Sequence, residues 1–172
     1  PLHPLIEEET AAIVHSSMNP DQLKTFTHDL ELNYSVQSKS NTRYRVNAYH
    51  EQGRIGLVMR RISAKIPTVA DLSLPLKLNE LVMRSRGLLI LAGTTGSGKS
   101  TSMAAMLNYR NQHQAGHIIT IEDPIEYIYT PIRCIITQRE IGIDTNSWKL
   151  AVQNAMRQAP DVVCIGEVRN EE

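Results

Sequence analysis

The stretch Gly93-Thr94-Thr95-Gly96-Ser97-Gly98-Lys99-Ser100 follows directly on the apolar run Leu88-Leu89-Ile90-Leu91-Ala92, and that junction leaves the chain few folds to choose from. A G-x-x-x-x-G-K-[ST] string between a strand and a helix makes a loop whose backbone N–H groups turn inward around phosphate oxygens. The glycines permit the turn, Lys99 is expected to neutralise the β and γ oxygens, and the Ser100 hydroxyl is expected to reach Mg²⁺. The next segment reads as a helix, so its positive dipole end faces the same phosphates. Thr95, Gly96, Ser97, Gly98, Lys99, Ser100 and Thr101 are therefore the expected nucleotide-binding residues. A glycine-rich linker is the competing reading, and a linker has no use for an apolar strand on one side.

Composition excludes several classes. With 41% hydrophobic and 21% charged residues the chain has ordinary globular content. Eighteen basic residues balance eighteen acidic ones, which leaves no electrostatic footprint for nucleic acid. Cys134 and Cys164 stand alone, with neither a metal spacing nor a disulfide framework, as suits a reducing cytoplasm. No apolar run approaches the ~18 residues of a spanning helix, and the start has no signal-peptide pattern. The missing initiating methionine and the stop at Asn170-Glu171-Glu172 read as an internal segment of a longer protein, with the far side of the sheet beyond it.

Along the chain, residues 5–17 read as a helix ended by Asn19-Pro20, and residues 21–29 as a second helix. Three strands follow, at 30–36, 43–51 and 54–62, the last two joined in a hairpin at Gln52-Gly53. Residues 1–63 are thus expected to form a small α+β domain with an antiparallel sheet, and 64–73 a linker. A helix over 72–84 is expected to open the second domain, 74–172. That domain alternates strand 88–92, helix 99–111, strand 118–122, a short strand near 134–138, helix 146–158 and strand 162–166. Such alternation implies an α/β fold with a parallel sheet and ligands at the carboxyl ends of its strands.

Two further motifs fall at strand ends. Ile118-Ile119-Thr120-Ile121 runs into Glu122-Asp123-Pro124-Ile125-Glu126, which places three carboxylates where water or Mg²⁺ would sit beside a γ-phosphate. Glu122 and Asp123 are the expected metal contacts, partly through water, together with Ser100. A solvated acidic turn remains the alternative. Val162-Val163-Cys164-Ile165 ends in Gly166-Glu167, a Walker B strand with glycine in place of the usual aspartate. Glu167 is either a metal-linked acid or a strand-end glutamate of no special role.

These stretches, with Arg157-Gln-Ala-Pro-Asp161 and Gly166-Glu-Val-Arg169, resemble the secretion ATPase superfamily, most closely the type IV pilus retraction ATPases of the PilT/PilU type. Arg43-Tyr-Arg-Val-Asn47, Arg86-Gly-Leu88 and Tyr109-Arg-Asn111 fit as well, so nearly the whole chain is covered. The resemblance implies a PAS-like N-terminal domain and a RecA-like core in a homohexameric, cytoplasmic ring, peripheral to the inner membrane through a pilus platform protein and driven by ATP and Mg²⁺. It makes residues 120–126 the Asp box, Glu126 the residue that polarises the attacking water and Glu167 the Walker B acid. Arg45 and Arg60 match arginines that reach nucleotide phosphates when domains close; exposed strand charges are the alternative. Arg139 and Arg157 fall in family-like stretches without an assigned role. Asn170 stands where the family has an aspartate, and the family's His box is not in the chain. The implied function is a motor for pilus retraction and twitching motility. The alternatives are an accessory ring subunit supporting a second retraction ATPase, or a pilus-extension or type II secretion ATPase.

Overall fold

The structure, a computed structural model, describes residues 4–39, 42–62 and 65–168, in two compact units, Pro1–Ile62 and Ser63–Glu172. In the first, α1 (Glu7–Ser17) and α2 (Pro20–Asp29) precede β1 (Glu31–Gln37), β2 (Arg43–Glu51) and β3 (Arg54–Arg61). Glu7, Glu8 and Glu9 lie in the first turn of α1, where carboxylates suit the dipole, and Glu9 also accepts from the Ile6 N–H at 3.0 Å. Asn19 caps α2 by accepting from the Asp21 and Gln22 N–H groups, with Pro20 at the first helical position, where its missing N–H is not needed.

The strands form an antiparallel sheet in the order β1-β2-β3. The β2–β3 turn places Gln52 (φ 52) and Gly53 (φ 80) in the left-handed region, the combination that matches the twist of a two-residue hairpin. One sheet face buries Tyr34, Val46 and Ala48 against Val14 and Phe26 of the helices. On the other face Arg45 pairs in register with Arg60, which sets two like-charged side chains directly opposite each other, a mildly unfavourable cross-strand pair.

In the second unit, α3 (Lys77–Val82) and α4 (Lys99–His113) precede a parallel sheet of order β5-β4-β6, built from β4 (Gly116–Glu122), β5 (Cys134–Glu140) and β6 (Val162–Ile165), with α5 (Trp148–Ala155) between the last two. β4 is central, and residues 118–122 are all buried, as a strand covered on both faces should be. Ile118 packs with Ala104 and Leu107 of α4, while Ile119 and Ile121 pack with Ala151 and Ala155 of α5. Each such isoleucine contributes about 1.5–3 kcal/mol.

Two expected elements differ. The helix over 72–84 is confined to Lys77–Val82. Ahead of it Thr68 and Asp71 exchange side-chain-to-backbone bonds at 2.9 and 3.1 Å, and Ser73 turns left-handed at φ 54. That turn seats Val69, Leu72 and Leu74 against Ala105 and Met106 of α4, so these residues belong to the second unit's core. The strand at 88–92 carries no ladder: Leu88 is 85% exposed and Ile90 75%. An apolar run becomes a strand only beside a partner, and among the described residues the run pairs with neither outer edge of the β5-β4-β6 sheet.

Candidate nucleotide site

The site is built at the carboxyl ends of the parallel strands and the amino end of α4. Gly98 is the N-cap of α4 at φ 90, and Gly96 has φ 81, conformations that side chains strain to adopt. A side chain at Gly93 would meet the Ser97 hydroxyl at 2.7 Å, so the loop closes tightly there. The Lys99 ammonium donates to the carbonyls of Gly93 and Thr94, each at 2.9 Å, which holds its charge inside the loop. Ser100 and Thr101 lie in the first turn of α4, both half-buried, where N–H groups have no intrahelical partner. Oriented amides, a cation and a hydroxyl on one turn form an anion cradle.

The Asp-box segment leaves β4 at Glu122. Glu122 is 8% exposed, its Oε1 accepts from the Thr120 hydroxyl (2.7 Å) and the Gln138 amide (3.4 Å), and its Oε2 accepts from the Glu126 N–H (3.3 Å). Burial pushes its pKa above the ordinary glutamate value despite these donors, and the nearby Glu126 charge adds to the rise. Asp123 and Glu126, by contrast, are exposed. The Tyr127 hydroxyl donates to Thr101 Oγ1 at 3.1 Å, tying the segment to the helix that carries Lys99 and Ser100.

At the end of β6 the Gly166 N–H donates to the Ile121 carbonyl at 2.8 Å. A Cβ at 166 would lie 3.4 Å from the Cα and Cγ of Glu122, so the glycine and the buried glutamate occupy adjoining space. Glu167 follows, half-buried. Burial pushes the Cys164 thiol up to about 12, which makes it an inert apolar group. No cluster of three or more metal-ligating side chains exists among the described residues.

The structure thus brings together the glycine loop, Lys99, Ser100, the Asp-box segment and the end of β6. Arg45 and Arg60 lie on the first unit's sheet. Arg139 donates to the Asp144 carbonyl at 2.9 Å, and Arg157 is exposed just past α5. Arg169 and Asn170 lie outside the described residues. Sequence reasoning missed Gln138 and Glu140, whose side chains reach back from β5 to the backbone of residues 125–129. It also missed Asn111, fully buried, which donates to the Thr130 carbonyl (2.8 Å) and accepts from the Ile132 (3.0 Å) and Cys134 (3.3 Å) N–H groups. Asn111 falls in the family-like stretch Tyr109-Arg-Asn111, but nothing in a helix with so many polar residues marks this one as buried.

Fold and site together define an α/β protein with a P-loop of the kind that binds nucleoside triphosphates. The family model "Type II/IV secretion system protein" matches residues 28–172. The chain belongs to that family of secretion ATPases. It is 48% identical over 169 residues to the type IV pilus ATPase PilU of Pseudomonas aeruginosa, covering 98% of this chain and 44% of that protein. It is 38% identical to the type IV pilus retraction ATPase PilT of the same organism, covering 98% and 49%. Among solved structures it is similar to that of the pilus retraction motor PilT with bound ADP, with TM-score 0.91 and 38% identity over 95% of this chain and 48% of that one. The X-ray structure of the Legionella pneumophila ATPase DotB matches with TM-score 0.84 and 26% identity, covering 98% and 49%. The chain spans about half the length of the curated relatives it matches. No helix among its described residues is long and apolar enough to cross a membrane.

Proposed function

We propose that this chain is the nucleotide-handling part of a motor ATPase that powers type IV pilus retraction, with Glu126 orienting the water that attacks the γ-phosphate. The observation that carries the reading is the junction of two elements: a P-loop helix with Lys99 at its start, and an Asp-box segment presenting exposed Glu126 and bonded to that helix through Tyr127 and Thr101. In the proposed reaction water attacks in line, a P–O bond forms to it, and the bond to the ADP oxygen breaks to release phosphate. Lys99 exchanges its carbonyl partners for phosphate oxygens, and the amides of residues 95–101 hold the phosphate chain.

Mg²⁺ fits the oxygens present: the Ser100 hydroxyl and exposed Asp123 are open to it, whereas both Glu122 oxygens are engaged. Bound with the nucleotide, the ion would neutralise charge developing on the β and γ oxygens. Glu167 at the end of β6 is the second acid in the proposal, acting through water. Arg45 and Arg60 are proposed as a phosphate-responsive pair, because their like charges are relieved by an anion. The likeness to the pilus ATPases PilU and PilT supports the pilus-motor reading; the oligomeric ring, the cytoplasmic location and the membrane-bound pilus platform that the family resemblance implies belong to the same proposal.

The test is Mg-dependent ATP hydrolysis by the full-length protein beside its Glu126→Gln variant. Loss of a water-orienting carboxylate lowers kcat by about a hundredfold or more with nucleotide binding kept. An unimpaired variant overturns the assignment of Glu126. Tight ATP binding with negligible turnover in both proteins replaces the motor with an accessory subunit.

A further inference from the structure

The segment 123–129 has no regular structure, yet Ile125 and Tyr129 are buried, so its backbone N–H and C=O groups need partners from elsewhere. Side chains of β4 and β5 supply them. The Ile125 N–H donates to Glu140 Oε2 at 3.1 Å, and the Glu126 N–H to Glu122 Oε2 at 3.3 Å. Gln138 takes two groups at once: its Oε1 accepts from the Tyr129 N–H at 3.0 Å and its Nε2 donates to the Tyr127 carbonyl at 2.8 Å. Thr120 is opposite Gln138 in register, and Glu122 opposite Glu140, so these four side chains form one patch on one face of the sheet. Glu140 is 2% exposed and presents almost no surface to a bound ligand.

We propose that Gln138 and Glu140 are positioning residues for ATP hydrolysis, holding the backbone on both sides of Glu126 so that its carboxylate meets the attacking water. The role rests on the reading of Glu126 given above. Glu140 holds the N–H of Ile125, the residue before Glu126, and Gln138 holds the carbonyl of Tyr127, the residue after it. The same Tyr127 bonds to α4, so this clamp sets the distance between Glu126 and the loop that holds the nucleotide. A misplacement of ~1 Å at a reacting centre costs up to a hundredfold in rate without touching substrate affinity.

The test uses the full-length protein with Gln138→Ala, Glu140→Ala and Glu140→Gln, each alone and in a Glu126→Gln background. Both alanine variants are expected to lose about ten- to a hundredfold in kcat. Affinity for a fluorescent ATP analogue is expected to stay within about threefold. Glu140→Gln keeps an oxygen for the Ile125 N–H and is expected to recover most of the rate. Where Glu126 is already glutamine, Glu140→Ala is expected to add less than about threefold, because the two act as one unit. Alanine variants hydrolysing within about twofold of the parent, or losses that multiply in the Glu126→Gln background, overturn the proposal. A Glu126→Gln protein of parental rate overturns the reading of Glu126 instead; a slow one beside unimpaired alanine variants overturns the positioning role alone. Should Glu140→Ala fail to fold, Gln138→Ala decides, and failure of both to fold assigns these side chains to stability and overturns the proposal.

Discussion

A carboxylate placed at position 166, where a Walker B strand ordinarily carries aspartate, is expected to destabilise this chain. The backbone at Gly166 has room for a Cβ in ordinary van der Waals contact, 3.4 Å from the Cα and Cγ of Glu122. Gly166→Ala is therefore expected to change stability by less than about 1 kcal/mol. Gly166→Asp puts a second carboxylate with its carbon about 5 Å from that of Glu122, and at an effective dielectric of about 20 the repulsion is about 3 kcal/mol. Gly166→Asn has the same shape without the charge, so the Asp-minus-Asn difference isolates the electrostatic part. Trp148, the one tryptophan in the chain, packs beside Ile119 and Ile121 and reports unfolding of this unit in urea. At pH 8 the Asp variant should fall below the Asn variant by about 3 kcal/mol, and the gap should close as acid neutralises the pair. Equal stabilities at pH 8, or a gap that ignores pH, would refute the reasoning that Glu122 occupies the space a Walker B aspartate would fill.

Two other outcomes follow from side chains on the same unit. Asn111→Ala removes three side-chain bonds from buried or half-buried backbone and should cost about 3 kcal/mol in urea unfolding, since each lost bond is worth about 1 kcal/mol; a loss below about 1 kcal/mol would show that water replaces the amide. The folded-state pKa of Glu122 lies above its ordinary value of 4.5, so the folded state prefers the protonated form. The stability this confers is present in acid and is lost as pH rises from about 4.5 through the elevated value. Glu122→Gln should flatten that part of the stability profile, and a profile of unchanged slope, read by Trp148 fluorescence across pH, counts against the burial argument.

The parts legible in the sequence were those where backbone geometry is written into neighbouring residues. The glycine loop is one, because Gly96 and Gly98 serve positive φ directly. The Gln52-Gly53 hairpin and the Asn19-Pro20 helix start are others, each a local stereochemical signal. The apolar run of β4 was legible because both its faces are covered. The run at 88–92 was misread for the complementary reason: its composition suits a strand, but pairing depends on residues distant in sequence. Similarly, a helix was expected from Leu72, yet the Thr68–Asp71 turn and Pro75 delay it to Lys77. The Asp box was legible as a row of acids, while the division between exposed Asp123 and Glu126 and the engaged Glu122 was not. That division is made by Thr120 and by Gln138, sixteen residues further on, and no local period records it.

The clamp on residues 125–129 also separates where a shape is specified from where it is displayed. Four backbone groups of this segment are bound by side chains of Glu122, Gln138 and Glu140, and a backbone group is the same whatever side chain it carries. The outward side chains at 126 and 128 can therefore be exchanged without erasing the conformation, whereas rewriting 138 or 140 erases it from a distance. For anyone transplanting this acidic segment into another parallel sheet, the portable unit is the two strand ends and their polar side chains, with the segment itself as cargo.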